Sequence, residues 1–344
     1  MLPGYRQWIS LRYGRHMKMT PLLTLSMLVA ATTLTACGDS GTGDVAAQDG
    51  DSNVVKIVAS TNVYGDIAQA VAGDEITVTS IITSSTQDPH EYEASARDRL
   101  TIESSDIVIE NGGGYDPFID ALLESSDASP IVLTAVDISG LLGEEEGHEE
   151  EGHDEEGQEE EGHEGHGHIE GFNEHVWYDF HTVEKLAEQL RDELSQLDPD
   201  NAATYDANYE SFAKQVENLE AAAEDLKTTA AGQGVAITEP VPVYLLAEVG
   251  LENLTPDEFS ESVEEGADVP PRALQETLDL FDGGEVSVLA YNQQTSDATT
   301  EQVRAAAESA DVPVVDFTET LPDGLTYIEW QQANLDNLSA ALGQ

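Results

Sequence analysis

Residues 54–82 read VVKIVASTNVYGDIAQAVAGDEITVTSII, and the order of patterns within them decides the fold. Val54 to Ala59 is a short β-branched run, the amphipathic stretch after it extends to Ala72, and Ile76 to Ile82 is a second β-branched run. The first and last read as strands and the middle as a helix. A strand–helix–strand succession predicts a parallel sheet flanked by helices, with ligands gathered at the carboxyl ends of its strands. The alternation continues outward: Arg97–Glu103 reads as helix, Ile107–Glu110 as strand, Asp116–Glu124 as helix and Ile131–Ala135 as strand.

Past a break in composition, His181–Leu197 has helical spacing, and Asp198-Pro199 offers an N-cap and a first-turn proline for another helix. Tyr205, Tyr209, Phe212, Val216, Leu219, Ala223 and Leu226 then alternate at spacings of four and three, which places one apolar stripe along a helix ending near Gly232. At 1.5 Å per residue that helix is about 45 Å long, enough to run beside two lobes. A second strand and helix series follows: Val235–Thr238, Tyr244–Val249, Pro271–Leu280, Val286–Tyr291, Thr299–Ala310, Val312–Phe317 and Tyr327–Leu342. The expected fold is therefore α/β: two Rossmann-like lobes, each a parallel sheet flanked by helices, joined by one long rigid helix. The expected boundaries are 54–197 for the first lobe, 198–232 for the linking helix and 233–344 for the second lobe.

The segment before residue 54 carries no fold signal. Arg15 and Lys18 precede an apolar run from Pro21 to Ala36 that ends Leu34-Thr35-Ala36-Cys37, the pattern of a secretory signal with a lipobox. Its roughly 16 apolar residues fall short of the roughly 20 that span a bilayer. Residues 1–36 are read as a signal peptide, with Met17 or Met19 a better start than Met1. Cys37 is read as the lipidated residue, and 37–53 as a flexible tether rich in Gly, Ser and Asp. Cys37 is the only cysteine, so neither an intrachain disulfide nor a thiolate zinc cluster can form.

Charge excludes some partners. With 69 acidic residues against 13 basic ones, the chain repels nucleic acid and anionic lipid, both of which need clustered Lys and Arg. From Glu144 the sequence repeats a degenerate pentapeptide, EEEGH, EEEGH, DEEGQ, EEEGH and EGHGH. Nothing in it can be buried, so a disordered loop is predicted over 143–168. Its His148, His153, His163, His166 and His168 lie among carboxylates, a composition that collects zinc at modest affinity.

Outside that repeat and apart from His16, the histidines are His90, His175 and His181. His90 lies in QDPHEYE past the strand ending at Ile82, and His175 lies in NEHVWYD. His181, at the start of a helix, reads as a capping or surface residue. No HExxH, nucleophile elbow or P-loop is present, so a secreted metallohydrolase is disfavoured and no catalytic residue is assigned.

DPHEYEASARD around His90, NEHVWYD around His175, the long helix after Asp198-Pro199 and the Glu- and His-rich insert between the two histidines together resemble the solute-binding lipoproteins of zinc and manganese ABC importers (solute-binding protein family 9). The resemblance covers about Val54 to Leu342. It implies one ion between the lobes, with two ligands from each. The first-lobe ligands match His90 and His175. The third, a histidine or glutamate after the first strand of the second lobe, matches Glu239, and the fourth, an acidic residue after the last strand, matches Glu319. Two imidazoles and two carboxylates balance a divalent cation but leave its identity open, because imidazole suits zinc and carboxylate suits manganese. Glu239 in place of the third histidine of many zinc-binding relatives points to Mn²⁺ or Fe²⁺; the insert points back to Zn²⁺. The implied role is capture of the ion outside the cell membrane and delivery to an ABC permease, by a monomer held to the membrane through its lipid alone. The competing reading is a metal-buffering or adhesin-type lipoprotein.

Overall fold

The structure, a computed structural model, describes residues 54–142 apart from 75, 85 and 86, residue 169, and residues 171–343. The signal segment, Cys37, the tether and histidines 148, 153, 163, 166 and 168 lie outside the described residues. Among those described, no helix is long and apolar enough to cross a membrane.

In the first lobe, β1 (Ile57–Thr61), β2 (Val78–Ile82), β3 (Ile107–Glu110) and β4 (Ile131–Thr134) form one sheet in the order β2-β1-β3-β4, with every pairing parallel. In the second, β5 (Gly234–Ile237), β6 (Glu252–Asn253), β7 (Val286–Asn292) and β8 (Val314–Phe317) repeat that arrangement as β6-β5-β7-β8. In both, the first strand has neighbours on either side whose connections leave in opposite directions, which opens a crevice at the carboxyl ends.

The helices are α1 (Asn62–Ala72), α2 (Ala96–Glu103), α3 (Pro117–Glu124), α4 (Ala135–Ser139), α5 (Phe180–Leu197), α6 (Ala202–Ala230), α7 (Val243–Glu248), α8 (Asp257–Glu264), α9 (Pro271–Asp282), α10 (Ala298–Ser309) and α11 (Tyr327–Ala341). Every residue of β1, β3 and β5 is buried, the signature of parallel strands covered on both faces. The faces alternate as strand geometry requires. Ile57, Ala59, Ile107, Ile109, Val235, Ile237, Val288 and Ala290 face a core shared by both lobes. Val58 and Val108 face a smaller core with Phe118 and Ile119, and Ala236, Leu289 and Tyr291 face another with Phe259 and Ala273.

The shared core runs along α6, whose 29 residues make it about 44 Å long. Its buried Tyr205, Phe212, Val216, Leu219, Ala223 and Leu226 form the expected stripe, and it packs on α1 and α5 of the first lobe and on α7 and α11 of the second. Tyr209 is half-buried and lies beneath the Arg191 guanidinium, 4.8 Å from ring centroid to Cζ. The helix starts later than the sequence suggests. Asp198 does not cap it: its carboxylate accepts hydrogen bonds from the Tyr205 hydroxyl and the Asn201 side chain, both at 2.8 Å, so 198–201 forms a turn and Asn201 becomes the N-cap. The short α4, the two-residue β6 and α8 were not foreseen, being too short or too polar to show a period.

Close packing of β5 demands glycine at its first position. A Cβ on Gly234 would lie 2.4 Å from the Glu285 carbonyl oxygen and 2.5 Å from Leu254 Cδ1.

Glu110, 7% exposed at the end of β3, accepts a 2.8 Å hydrogen bond from the Thr134 hydroxyl. Burial first, and the Asp116 carboxylate second, push its carboxyl from 4.5 up to about 7. A raised carboxyl favours the folded state while protonated; that contribution is complete below about pH 4.5 and is lost as pH rises through about 7. Glu110→Gln, which cannot ionise, is therefore expected to raise unfolding free energy at pH 8 by roughly 2–3 kcal/mol while changing it little at pH 4.5, measured by denaturant titration at both pH values.

Candidate metal centre

The crevices at the carboxyl ends of the two sheets face each other, and His90, His175, Glu239 and Glu319 all lie there. His90 follows β2 in an Asx turn, its backbone N–H donating to Asp88 Oδ1 at 2.9 Å. Its ring meets Tyr115 edge-on at 4.9 Å, and the rings of His90 and His175 are 6.5 Å apart. His175 precedes a single 3-10 turn, Val176–Tyr178, which leads into α5 with Asp179 as N-cap. The His175 ring is fully buried against Trp177 at 5.1 Å and Tyr115 at 5.8 Å.

The tautomer of neutral His175 follows from its neighbours. The Asn173 side-chain amide donates to the Pro240 carbonyl at 3.0 Å, so its Oδ1 is an acceptor. His175 Nδ1, 2.7 Å from that oxygen, must therefore carry a proton, which leaves the Nε2 lone pair directed into the crevice.

Glu319, two residues past β8, joins the histidines: one donor atom each from His90, His175 and Glu319 lies within 4.8 Å of the others, and all three residues are buried. Glu239, two residues past β5, is buried but belongs to no such group among the described residues. Its carboxylate accepts from the Thr295 hydroxyl and from Asn292 Nδ2; the same Asn292 nitrogen donates to Glu319 Oε1 at 2.7 Å. The Asn292 amide thus bridges Glu239 and Glu319. His181 is an exposed residue of α5, close to Glu184 and Glu220.

Sequence reasoning missed Glu264, the last residue of α8. Its Oε1 lies 3.2 Å from His90 Nε2 and 3.3 Å from His175 Nε2. Glu264 and Glu265 look like any other acidic pair in so acidic a chain, so the sequence carried no signal for it. Asn173, Asn292 and Thr295, which orient His175 and Glu239, were likewise unmarked.

The electrostatics follow from this packing. Burial opposes charge on both imidazoles, but contact with Glu264 outweighs it and brings each up to about 9. The two imidazolium rings in turn overcome burial at Glu264 and hold it well below the usual carboxylate range. Burial, followed by the charge of Glu264, raises Glu239 to about 8 and Glu319 to about 7.

The crevice is stitched from both sides. Tyr178 Oη donates to the Thr318 carbonyl, Tyr327 Oη to the Trp177 carbonyl and Tyr244 Oη to the Asn173 carbonyl, each at 2.7 Å. Asn62 exchanges two hydrogen bonds with the Leu321 backbone, at 2.8 and 3.0 Å. A cavity of about 430 Å³, lined in part by Asp88, His90, Glu264, Gln294 and Glu319, connects the site with solvent.

Two parallel α/β lobes on one long helix, with buried imidazoles on one and carboxylates on the other, form a two-lobed frame whose crevice has the chemistry of a cation site. Residues 57–341 match the family model described as zinc-uptake complex component A, periplasmic (ZnuA), and the chain belongs to this family of metal-binding solute receptors, which are not enzymes. It is 29% identical over 203 residues to the manganese-binding lipoprotein MntA of Halalkalibacterium halodurans, a match spanning 59% of this chain and 58% of that protein. It is 25% identical to the metal ABC transporter substrate-binding lipoprotein SsaB of Streptococcus sanguinis, across 95% of this chain and all of that one. The solved structure of the periplasmic zinc-binding protein TroA from Treponema pallidum shares the fold, with a TM-score of 0.66 at 16% identity over 84% of this chain and 99% of that one.

Proposed function

We propose that this chain captures one divalent transition-metal ion, Zn²⁺ or Mn²⁺ with Fe²⁺ as a further candidate, between its lobes and delivers it to the membrane permease of an ABC importer. His90, His175, Glu319 and Glu239 are the proposed ligands, Glu239 turning from Asn292 and Thr295 as the ion enters. Cys37 is the proposed lipid anchor, holding a monomer at the outer face of the cell membrane. The observation that carries this reading is the convergence of buried donors from His90, His175 and Glu319, contributed by two different lobes. The names of MntA and SsaB support metal as cargo and a lipid anchor.

Metal content of protein purified without chelator or added metal, followed by competitive titration of Zn²⁺ against Mn²⁺, tests the reading; one tightly held ion per chain is expected. Metal needs unprotonated imidazoles, and contact with Glu264 brings both up to about 9, so protons compete with the cation. Apparent affinity is therefore expected to rise by about tenfold or more between pH 6 and pH 8. Calorimetry in buffers of differing ionisation enthalpy counts the protons released.

The His-rich repeat is proposed to collect metal and pass it to the cleft. Deletion of residues 144–168 is expected to leave the tight site intact and to remove additional weak ones, as read by titration calorimetry. Loss of the tight site would refute the cleft assignment. A buffering or adhesin-type protein would instead lose most of its capacity with the repeat.

A further inference from the structure

Glu264 is held differently from Asp116 and Glu239, two other carboxylates near the site. Asp116, more deeply buried, receives backbone N–H bonds on both oxygens, from Asn111 at 2.7 Å and Gly112 at 2.9 Å. Glu239 has both oxygens held by Asn292 and Thr295. Glu264 has a side chain only 9% exposed, Oε1 set between the two imidazole nitrogens, and Oε2 buried without a hydrogen-bond partner. A buried carboxylate oxygen without a protein donor costs stability, so a carboxylate that served packing alone would have been given donors. A carboxylate with Oε1 set against two metal-ligand nitrogens and Oε2 given no donor is suited to a cation.

We propose that Glu264 is a fifth protein ligand of the transported ion, adding a third carboxylate that favours Mn²⁺ over Zn²⁺. This inference rests on the cleft reading above and extends it. Zinc sites are closed by about four ligands in a tetrahedron. Manganese accepts more donors and prefers oxygen, so three carboxylates beside two imidazoles suit it better. The position of Glu264 fits the role. It ends α8 and lines both the 430 Å³ cavity and a second cavity of about 220 Å³ beside Asn173, Glu174 and Pro240, so its side chain is where an ion arriving from either meets the imidazoles.

The test uses the full chain with Glu264→Gln, Glu264→Ala and His175→Ala. Mn²⁺ and Zn²⁺ affinities are measured by competition with a chelating indicator, and Co²⁺ serves as a spectroscopic probe of coordination number. Both Glu264 variants are expected to lose Mn²⁺ affinity by about tenfold or more while Zn²⁺ affinity changes by less than about threefold. In both, the visible Co²⁺ band is expected to intensify as the coordination number falls. Unchanged or tighter Mn²⁺ binding, or equal losses for both metals with an unchanged Co²⁺ spectrum, would overturn the role of Glu264. Those results beside a His175→Ala variant that has lost binding defeat only this inference; undiminished binding in His175→Ala defeats the cleft reading itself.

Discussion

His175→Ala is expected to abolish tight cation binding, lowering affinity by about a thousandfold or more, equivalent to about 4 kcal/mol. The size of the effect follows from how completely this ring is committed. It is fully buried, its Nδ1 is taken by Asn173 and its Nε2 faces His90, Glu264 and Glu319, so no neighbouring group can move in to replace it. The substitution also empties space between Trp177 and Tyr115 and is expected to cost about 2–4 kcal/mol of stability. Affinity must therefore be measured by calorimetry well below the melting temperature, with circular dichroism establishing that the variant is folded. His90→Ala provides the control. His90 lies at the edge of the site, 9% exposed, and its loss is expected to weaken binding comparably with less damage to the fold.

The second large effect is on stability. In the proposed site the cation takes ligands from both lobes, and a ligand bound only by the folded state adds about 4 kcal/mol at a thousand times its dissociation constant. For a folded unit of this size, that corresponds to a rise in melting temperature of roughly 5–10 °C. Metal removal by chelator is expected to reverse it. Neither His90→Ala nor His175→Ala should show the increment, whereas the surface variant His181→Ala should retain it in full. An equal rise in all three variants would mean that the stabilising ion binds elsewhere.

Much of the architecture was legible because it depends on local periodicity. The strand Ile107–Glu110 and the stripe from Tyr205 to Leu226 appear in the structure where the spacing placed them, since alternation at two and at three to four residues reports directly which side of an element is buried. The start of α6 was misjudged because Asp198-Pro199 has the composition of a cap, while the decisive contact is the Tyr205 hydroxyl seven residues on. The strand ends carrying His90, Glu239 and Glu319 could be located in the sequence, but what each side chain does there could not. Glu239 is turned aside by Asn292 and Thr295, more than fifty residues distant. The proton on His175 is fixed by Asn173 together with the Pro240 carbonyl, which is 67 residues further along the chain than Asn173. Glu264 reaches the imidazoles from a short polar helix with no pattern to mark it. Fold was read from periodicity; the site depends on contacts that only tertiary structure creates.

The most direct test of a single cation held between the lobes is anomalous diffraction from crystals grown with Zn²⁺ or Mn²⁺, recorded at the absorption edge of the metal. One dominant peak is expected, about 2.0–2.3 Å from a ring nitrogen of both His90 and His175 and from a Glu319 oxygen. A dominant peak at His181, Glu184 and Glu220 on the outer face, with none between His90 and His175, would contradict the account.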